Sequence, residues 1–530
     1  MILFLSLRRA LLGASLIAPA WLGAETGEEI GGRRELFVDD HLIAAIEGAA
    51  TLRLHHPQPR EIVLVHDAPW EGSGTGYHSV FQDGDRYRMY YKSWQINPLG
   101  EANRDLPRNP LFTGYAESDD GIHWRKPMLG LHEFNGSRDN AIMMVSGPQD
   151  GVELDAGHPA LFKDTNPAAP AESRYKALFR SKGEHGLLAY QSPDGLHWSP
   201  MSLDPVITDG AFDSQNLAFW DGARGEYRAY WRYFDEETED SRYNGVRGIR
   251  TATSTDFLHW ENQADLQYPG APPTHLYTNQ IKPYHRAPHL LLGFPARYVD
   301  RGYGDAGELD NAERISRWSA ALHELPEAEH RVMRSMASER YGSALTDSLL
   351  MASRDGVTFK RWDEAFLRPG IERPGTWHYG QQYLAWHLVE TASPLEGAPP
   401  ELSMYAVESY WTDNSSELRR YTLRLDGFVS VHAPQAGGQL VTQPIRFSGN
   451  ELTLNYATSA AGTVRVEIRD AAGKALPGFA LEDCDPLFGD TLDRVVRWQG
   501  STDVSALADR DIQLVFEVSD GDLFSYQFRP

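Results

Sequence analysis

The chain has 530 residues, enough for one large domain of roughly 350–400 residues and a smaller one. A formal net charge of −24 excludes nucleic acid and anionic membrane surfaces as partners, since both require a basic footprint. The 41% hydrophobic content is that of an ordinary globular protein, and 14 Trp with 24 Tyr suit packed sheets or flat platforms facing sugars.

The first residues read as an export signal. MILFLSLRRA supplies two arginines, LLGASLIAPAWLGA is a short apolar core, and Ala18-Pro19-Ala20 or the Ala24–Glu25 junction offers a cleavage site. Residues 1–24 are therefore expected to be removed, which gives a secreted or periplasmic bacterial protein without membrane contact after cleavage. No later segment approaches the ~20 apolar residues of a membrane span. Cys484 is the only cysteine, so the sequence holds no intrachain disulfide and no thiolate cluster.

Beyond the signal, one phrase returns at wide intervals. It reads ESDDGIHW ending at Trp124, QSPDGLHW at Trp198, TSTDFLHW at Trp260 and ASRDGVTF at Phe359, with a degenerate LRLDGFVSV over Leu423–Val431. Each copy reads as a strand, a tight Asp-Gly turn and a returning strand anchored by an aromatic residue. A repeat every ~60–100 residues is too long for a solenoid and suits a four-stranded propeller blade with long loops. Asp120, Asp194, Asp256 and Asp355 are accordingly read as hydrogen-bonding turn residues rather than catalytic ones.

Two more repeated runs precede each turn. Inner-strand candidates are YHSVF at 77–81, HPALF at 158–162, QNLAFW at 215–220, TNQIKPY at 278–284 and GQQYLAW at 380–386. Second strands are RYRMYYKS at 86–93, RYKALFRS at 174–181 and EYRAYWRY at 226–233, with looser counterparts at 289–298 and 402–410. The expected fold is all-β: a five-bladed β-propeller over residues 25–435, with ELFVDDHLI in a lead-in strand that helps close the ring. Asn311–Glu339 is the best helical candidate, within an insertion in the fourth blade. Short alternating strands over 436–530 predict a C-terminal β-sandwich.

Strands one and three of a blade run the same way, so the start of strand one shares a face with the loop between strands two and three. That places Lys92, Arg180 and Arg232 at one terminal position in three successive blades, with Arg297 two residues later in the fourth. Such a rim suits carboxylate or sulfate groups; alternatively, each residue pairs with a neighbouring acid. Acids expected on the same rim are Glu71, Asp155, Asp213 and Asp347, the candidate acid and base for glycoside hydrolysis. His78, His158, His275 and His378 fall at or before inner-strand starts, and Trp70, Trp94, Trp377 and Trp411 fall in rim loops. His78, His158 and Trp94 join the four basic residues as candidate substrate contacts. No histidine spacing supports zinc, and no cofactor is expected; calcium on the acidic run Asp235–Asp240 is a minor option.

The S-x-D-G-x-x-W turns, the inner strands and the trailing β-sandwich resemble the five-bladed propeller glycosidases of families 32, 43, 62, 68 and 117. ELFVDD, FDSQNLAFWD, TSTDFLHW, MASRDG, RRYTLRLDGFVSV and LNYATSAAG are more closely similar to secreted bacterial proteins described as family-32-like. In those glycosidases three acids come from the inner strands of the first three blades, which by position implies Glu71, Asp155 and Asp213. The motifs depart from that pattern: EGSGTGYHSV stands in place of W-x-N-D-P-N-G, GHPALF in place of R-D-P, and no E-C pair occurs in blade three. Fructan hydrolysis is therefore not expected.

The sequence thus predicts a secreted glycoside hydrolase acting on an oligo- or polysaccharide, with uronate or sulfate as the anionic group. The alternatives are a carbohydrate-binding propeller without catalysis, a structural module, and a lyase in which the basic rim assists elimination from a uronate. Oligomeric state is left open by the sequence.

Overall fold

The computed structural model describes residues 27–95, 111–238, 242–302, 311–336, 338–411 and 416–530; the expected export signal lies outside them. Runs rich in aromatic and β-branched residues, broken by Gly and Pro, form strands because such side chains fit a pleated and half-buried surface. Five antiparallel sheets form the blades of a propeller, and a sixth sheet of ten strands lies beside it. The third blade is the plainest. Its strands Leu217–Asp221, Glu226–Phe234, Arg247–Ser254 and Glu261–Asp265 pair in chain order.

The ring closes with residues from the beginning of the described chain. Gln58–Val65 pairs antiparallel with Glu417–Leu423 as the outer strand of the fifth blade. The ELFVDD segment goes elsewhere: Arg34–Leu36 pairs with the long strand Ile512–Arg529 of the C-terminal unit. Ile43–Gly48 and Thr51–Leu54 also join that sheet, through Gly438–Thr442 and Val429–Ala433. The lead-in is therefore divided, its first part completing the C-terminal sheet and its second part closing the propeller. The sheet's two longest strands, Glu451–Asp470 and Ile512–Arg529, pair along most of their length and bury Leu454, Val466, Leu514 and Phe516 completely.

The repeated turns have one geometry. The Asp120 carboxylate accepts the Ile122 and His123 amides at 2.8 Å each, and Trp124 Nε1 donates to the Gly121 carbonyl at 3.1 Å. Asp194, Asp256 and Asp355 accept the equivalent pairs of amides, so these aspartates are turn residues. Each turn also docks on the preceding blade. Tyr90, Tyr230 and Tyr405 donate their hydroxyls to the carbonyls of Gly195, Gly356 and Gly121, each on the next blade round the ring. The one turn with Phe257 in place of Gly follows the one blade with Leu178 in place of that Tyr, and both side chains lie in one buried cluster. A hydrogen bond at three junctions is thus replaced by apolar packing at the fourth.

The degenerate fifth copy does something different. Asp426 is fully buried and accepts from Arg286 Nε and Tyr284 Oη, both at 2.8 Å, and from Ser525 Oγ at 3.0 Å; Arg34 lies 3.2 Å away. Tyr284 and Arg286 belong to the fourth blade and Ser525 to the C-terminal sheet. This carboxylate therefore ties the two units together.

The insertion in the fourth blade is helical as expected, in short pieces that include Ala328–Ser335 and Arg340–Ser343. Its buried Arg331 donates to the Trp377 carbonyl at 2.7 Å, and Arg334 to that of Tyr410 at 3.4 Å. These contacts fasten the insertion over the end of the channel where the inner strands begin.

Candidate functional site

At that end of the channel the starts of the inner strands and the ends of the second strands enclose a cavity of about 240 Å³. Its lining includes Tyr77, Lys92, Trp94, His158, Arg180 and Asp213, together with Tyr277, Arg340, Tyr379 and Trp411. Lys92 is the register partner of Gly76 at the mouth end of the first inner strand, and its Nζ sits 4.2 Å from the Trp94 ring centroid and 5.2 Å from that of Tyr77. Burial pulls the Lys92 ammonium down to about 8, with the nearby Arg180 acting in the same direction.

Asp155 and Arg180 are cross-strand partners, and their side chains meet at 3.5 Å. Asp155 is only 1% exposed and its Oδ2 lies 3.1 Å from His158 Nδ1. Although burial opposes ionisation, His158, the Gly157 amide and Arg180 hold this carboxyl well below the usual range. Burial in turn lowers His158, which favours the neutral imidazole. Asp155 stands behind His158 and Arg180 and orients them. Asp213 itself lines the cavity, is 32% exposed and is ion-paired to the buried Arg232.

Tyr277 joins this set from the loop before the fourth inner strand, and the sequence reading passed over it. The Tyr379 hydroxyl donates to Tyr277 Oη at 2.8 Å. The guanidinium carbons of Arg232 and Arg247 lie 5.1 Å and 5.6 Å from the Tyr277 ring centroid, and Tyr383 stacks on it at 5.4 Å. Burial alone would raise the phenol. Arg340, Arg232, the Tyr379 hydrogen bond and Arg247 outweigh it and bring Tyr277 down to about 7. Arg340 was also passed over; the helical insertion delivers it. The available signal was a tyrosine at or immediately before inner strands one, four and five: Tyr77, Tyr277 and Tyr379.

Other expected site residues lie elsewhere. Glu71 is fully buried beside the first blade, where Lys126 Nζ and Tyr91 Oη each lie 2.6 Å from its carboxylate. His78 is buried against His66, with Nε2 atoms 3.1 Å apart, and burial keeps its imidazole well below the usual range. Arg297 and Asp347 are cross-strand partners in a two-pronged ion pair and line a separate cavity that also holds Trp377. The pleat explains this, because Arg297 belongs to a strand that begins only at Ala296, after the break at Phe294–Pro295. His275 lies 3.3 Å from Arg247 Nη1, and both His378 nitrogens contact backbone carbonyls. Among the described residues no group of three or more His, Cys, Asp or Glu side chains is placed to hold a metal ion.

No family model matches the chain. Two uncharacterized proteins of Mycobacterium tuberculosis, from strains CDC 1551 and H37Rv, are each 29% identical over 155 residues, 28% of this chain. The match spans 40% of the length of those curated relatives. Among solved structures, a family 43 arabinoxylan arabinofuranohydrolase of Bacillus subtilis, in complex with cellotetraose, is 10% identical, with 87% of this chain and 96% of that one covered and a TM-score of 0.36. An N-acetylgalactosamine deacetylase of F. plautii, bound to blood group B trisaccharide, is 12% identical, with 71% and 95% covered and a TM-score of 0.38. A structure from family 130, mannoside phosphorylases that include hydrolases of β-1,2-mannosidic linkages in Candida mannan, is 12% identical, with 69% and 94% covered and a TM-score of 0.36. These are likenesses of fold, and the blade count rests on the five sheets themselves.

Proposed function

We propose that this propeller binds an anionic sugar residue, a uronate or a sulfated unit of a glycan, at the channel mouth and cleaves the adjoining glycosidic bond. One observation carries the reading: Lys92, Arg180 and Arg340 converge with tyrosines and tryptophans on one cavity, in a chain of net charge −24. Cations on aromatic walls suit a sugar ring that bears a carboxylate or sulfate. The cavity is smaller than the ~300 Å³ of drug-sized sites, which suits a single sugar residue rather than a long segment.

For hydrolysis, Asp213 is the base that takes a proton from water as the water oxygen attacks the anomeric carbon. The Tyr277 hydroxyl then gives its proton to the departing glycosidic oxygen, and the C–O bond breaks. A phenol at about 7 is well matched to proton donation near neutrality. Asp155 works through His158 and Arg180 and does not touch the reacting atoms.

One observation favours a second reading, β-elimination. Asp213 is the one carboxylate among the described cavity-lining residues. Tyr277, once ionised, would remove the proton next to a uronate carboxylate that Lys92 and Arg180 neutralise. The two readings predict opposite pH profiles. With Tyr277 as acid its protonated form is active, so kcat/KM falls as pH rises through about 7; with Tyr277 as base kcat/KM rises through the same point. The experiment is a screen of purified protein against uronate-bearing, sulfated and neutral glycans, with product analysis. Saturated reducing ends mark hydrolysis, and an ultraviolet-absorbing unsaturated uronate marks elimination. Cleavage of neutral glycans alone would overturn the anionic reading. Saturable binding without products would leave a carbohydrate-binding propeller.

A further inference from the structure

The far end of the channel holds a second cavity, of about 390 Å³, formed by the later residues of inner strands one, four and five. Trp386 and two glutamines separate it from the mouth. The Trp386 indole donates to the Ile281 carbonyl at 2.9 Å, and Gln280 Nε2 to Gln215 Oε1 at 2.6 Å; Gln215 Nε2 in turn reaches the Tyr77 and Pro159 carbonyls, both at 3.0 Å. The walls are mostly apolar, with Phe81, Leu292, Phe294 and Val389 among them.

One amine faces this space. Lys282 Nζ is hydrogen-bonded to His387 Nδ1 and lies 5.6 Å from the Trp386 ring centroid. Among the described residues it has no carboxylate within ion-pair distance, and the one acid on the cavity wall, Glu390, is taken by His285 at 2.7 Å. Lys282 is half-buried, and an amine held in a largely apolar wall without a counter-charge marks a place where a ligand or a reaction could use it. Two further features mark the place as built. Gln280 lines the cavity, is 2% exposed, and its Oε1 has no hydrogen-bond partner. His387 holds a left-handed backbone, at φ 81°, which keeps its ring 4.0 Å from that of Trp386.

We propose that this cavity is a second ligand site, in which Lys282 captures a small aldehyde with an apolar body as an imine. Burial draws the Lys282 ammonium down to about 7, so much of the amine is uncharged and nucleophilic at neutral pH. An anionic ligand would have to bury an ion pair among apolar walls, whereas an aldehyde meets a neutral amine without that desolvation cost. The nitrogen lone pair adds to the carbonyl carbon. The carbonyl oxygen takes both amine protons, with His387 as the relay, and leaves as water as the C=N bond forms. Gln280 Oε1 offers an acceptor for the hydroxyl of the intermediate carbinolamine. The step consumes no oxidant or reductant.

The test uses the unaltered full chain, benzaldehyde as the probe and cyanoborohydride to trap any imine, with adducts mapped by mass spectrometry. Lys282 is expected to be alkylated at least about tenfold faster than the exposed Lys182 and Lys474, because more of its amine is uncharged. Lys282→Arg should lose that adduct while surface labelling continues. Labelling of Lys282 no faster than of the surface lysines overturns the proposal whatever the variant does. So does saturable retention of benzoate without an aldehyde adduct, which would make the cavity an anion site.

Discussion

Two sets of residues occupy equivalent places in successive blades, and they behave in opposite ways. The turn aspartates Asp120, Asp194, Asp256 and Asp355 make the same two amide contacts four times, within a few residues of chain. At the mouth, the equivalent second-strand ends carry Lys92, Arg180 and Arg232, and no two make the same contacts. Lys92 lies over Trp94 and Tyr77, Arg180 meets Asp155, and Arg232 pairs with Asp213 beneath Tyr277. Positions repeated with their contacts hold the scaffold; positions repeated in place but not in contacts build an asymmetric pocket. A ring of identical blades would give a symmetric hole, and a sugar is not symmetric.

The comparison can be broken or sharpened by substitution. The largest effect is expected from Asp213→Asn, which should lower kcat by about 10²–10⁴ on an anionic oligosaccharide, with a lowered melting temperature because the buried Arg232 loses its counter-charge, read by product assay and calorimetry. Tyr277→Phe should cost about 10² in kcat/KM and abolish the titration near 7, as a full pH profile of the variant would reveal. Arg180→Ala should raise KM for anionic substrates by about tenfold and leave neutral ones unaffected, since it removes a charge-assisted contact.

Smaller effects belong to the scaffold. Asp194→Ala should cost about 1 kcal/mol of stability, as for loss of a helix cap, because the Leu196 and His197 amides lose their acceptor; kcat should not change. Asp347→Asn is expected to alter turnover by less than about twofold, the scale of a change away from the reacting groups. A large loss of activity in that variant would move the chemistry to the fourth-blade cavity.

Much of the fold was legible because it is local. An Asp-Gly turn declares itself within eight residues, and its recurrence counts the blades. The alignment it provides also brought Lys92, Arg180, Asp213, His158 and Trp94 to one cavity. Glu71 was misplaced because a residue ahead of a strand can turn to either side, and Lys126, contributed from beyond the outer strand, draws it away from the mouth. Arg297 was misplaced because the Phe294–Pro295 break shifts the register after which it is counted. Arg340 escapes the repeat because the helical insertion contributes it, and Tyr277 is faintly marked because a tyrosine stands at or before only three of the five inner strands.

By itself the sequence determined the blade repeat, the phase of the strands and the channel end where cations gather, since alternation and turn chemistry act over a few residues. Tertiary structure alone decided which acids reach the cavity, that Tyr277 sits among arginines, that residues 34–54 complete the C-terminal sheet, and that Lys282 meets no carboxylate among the described residues. Those outcomes depend on neighbours tens to hundreds of positions away. Burial and pairing are properties of the assembled surroundings, and no local pattern carries them.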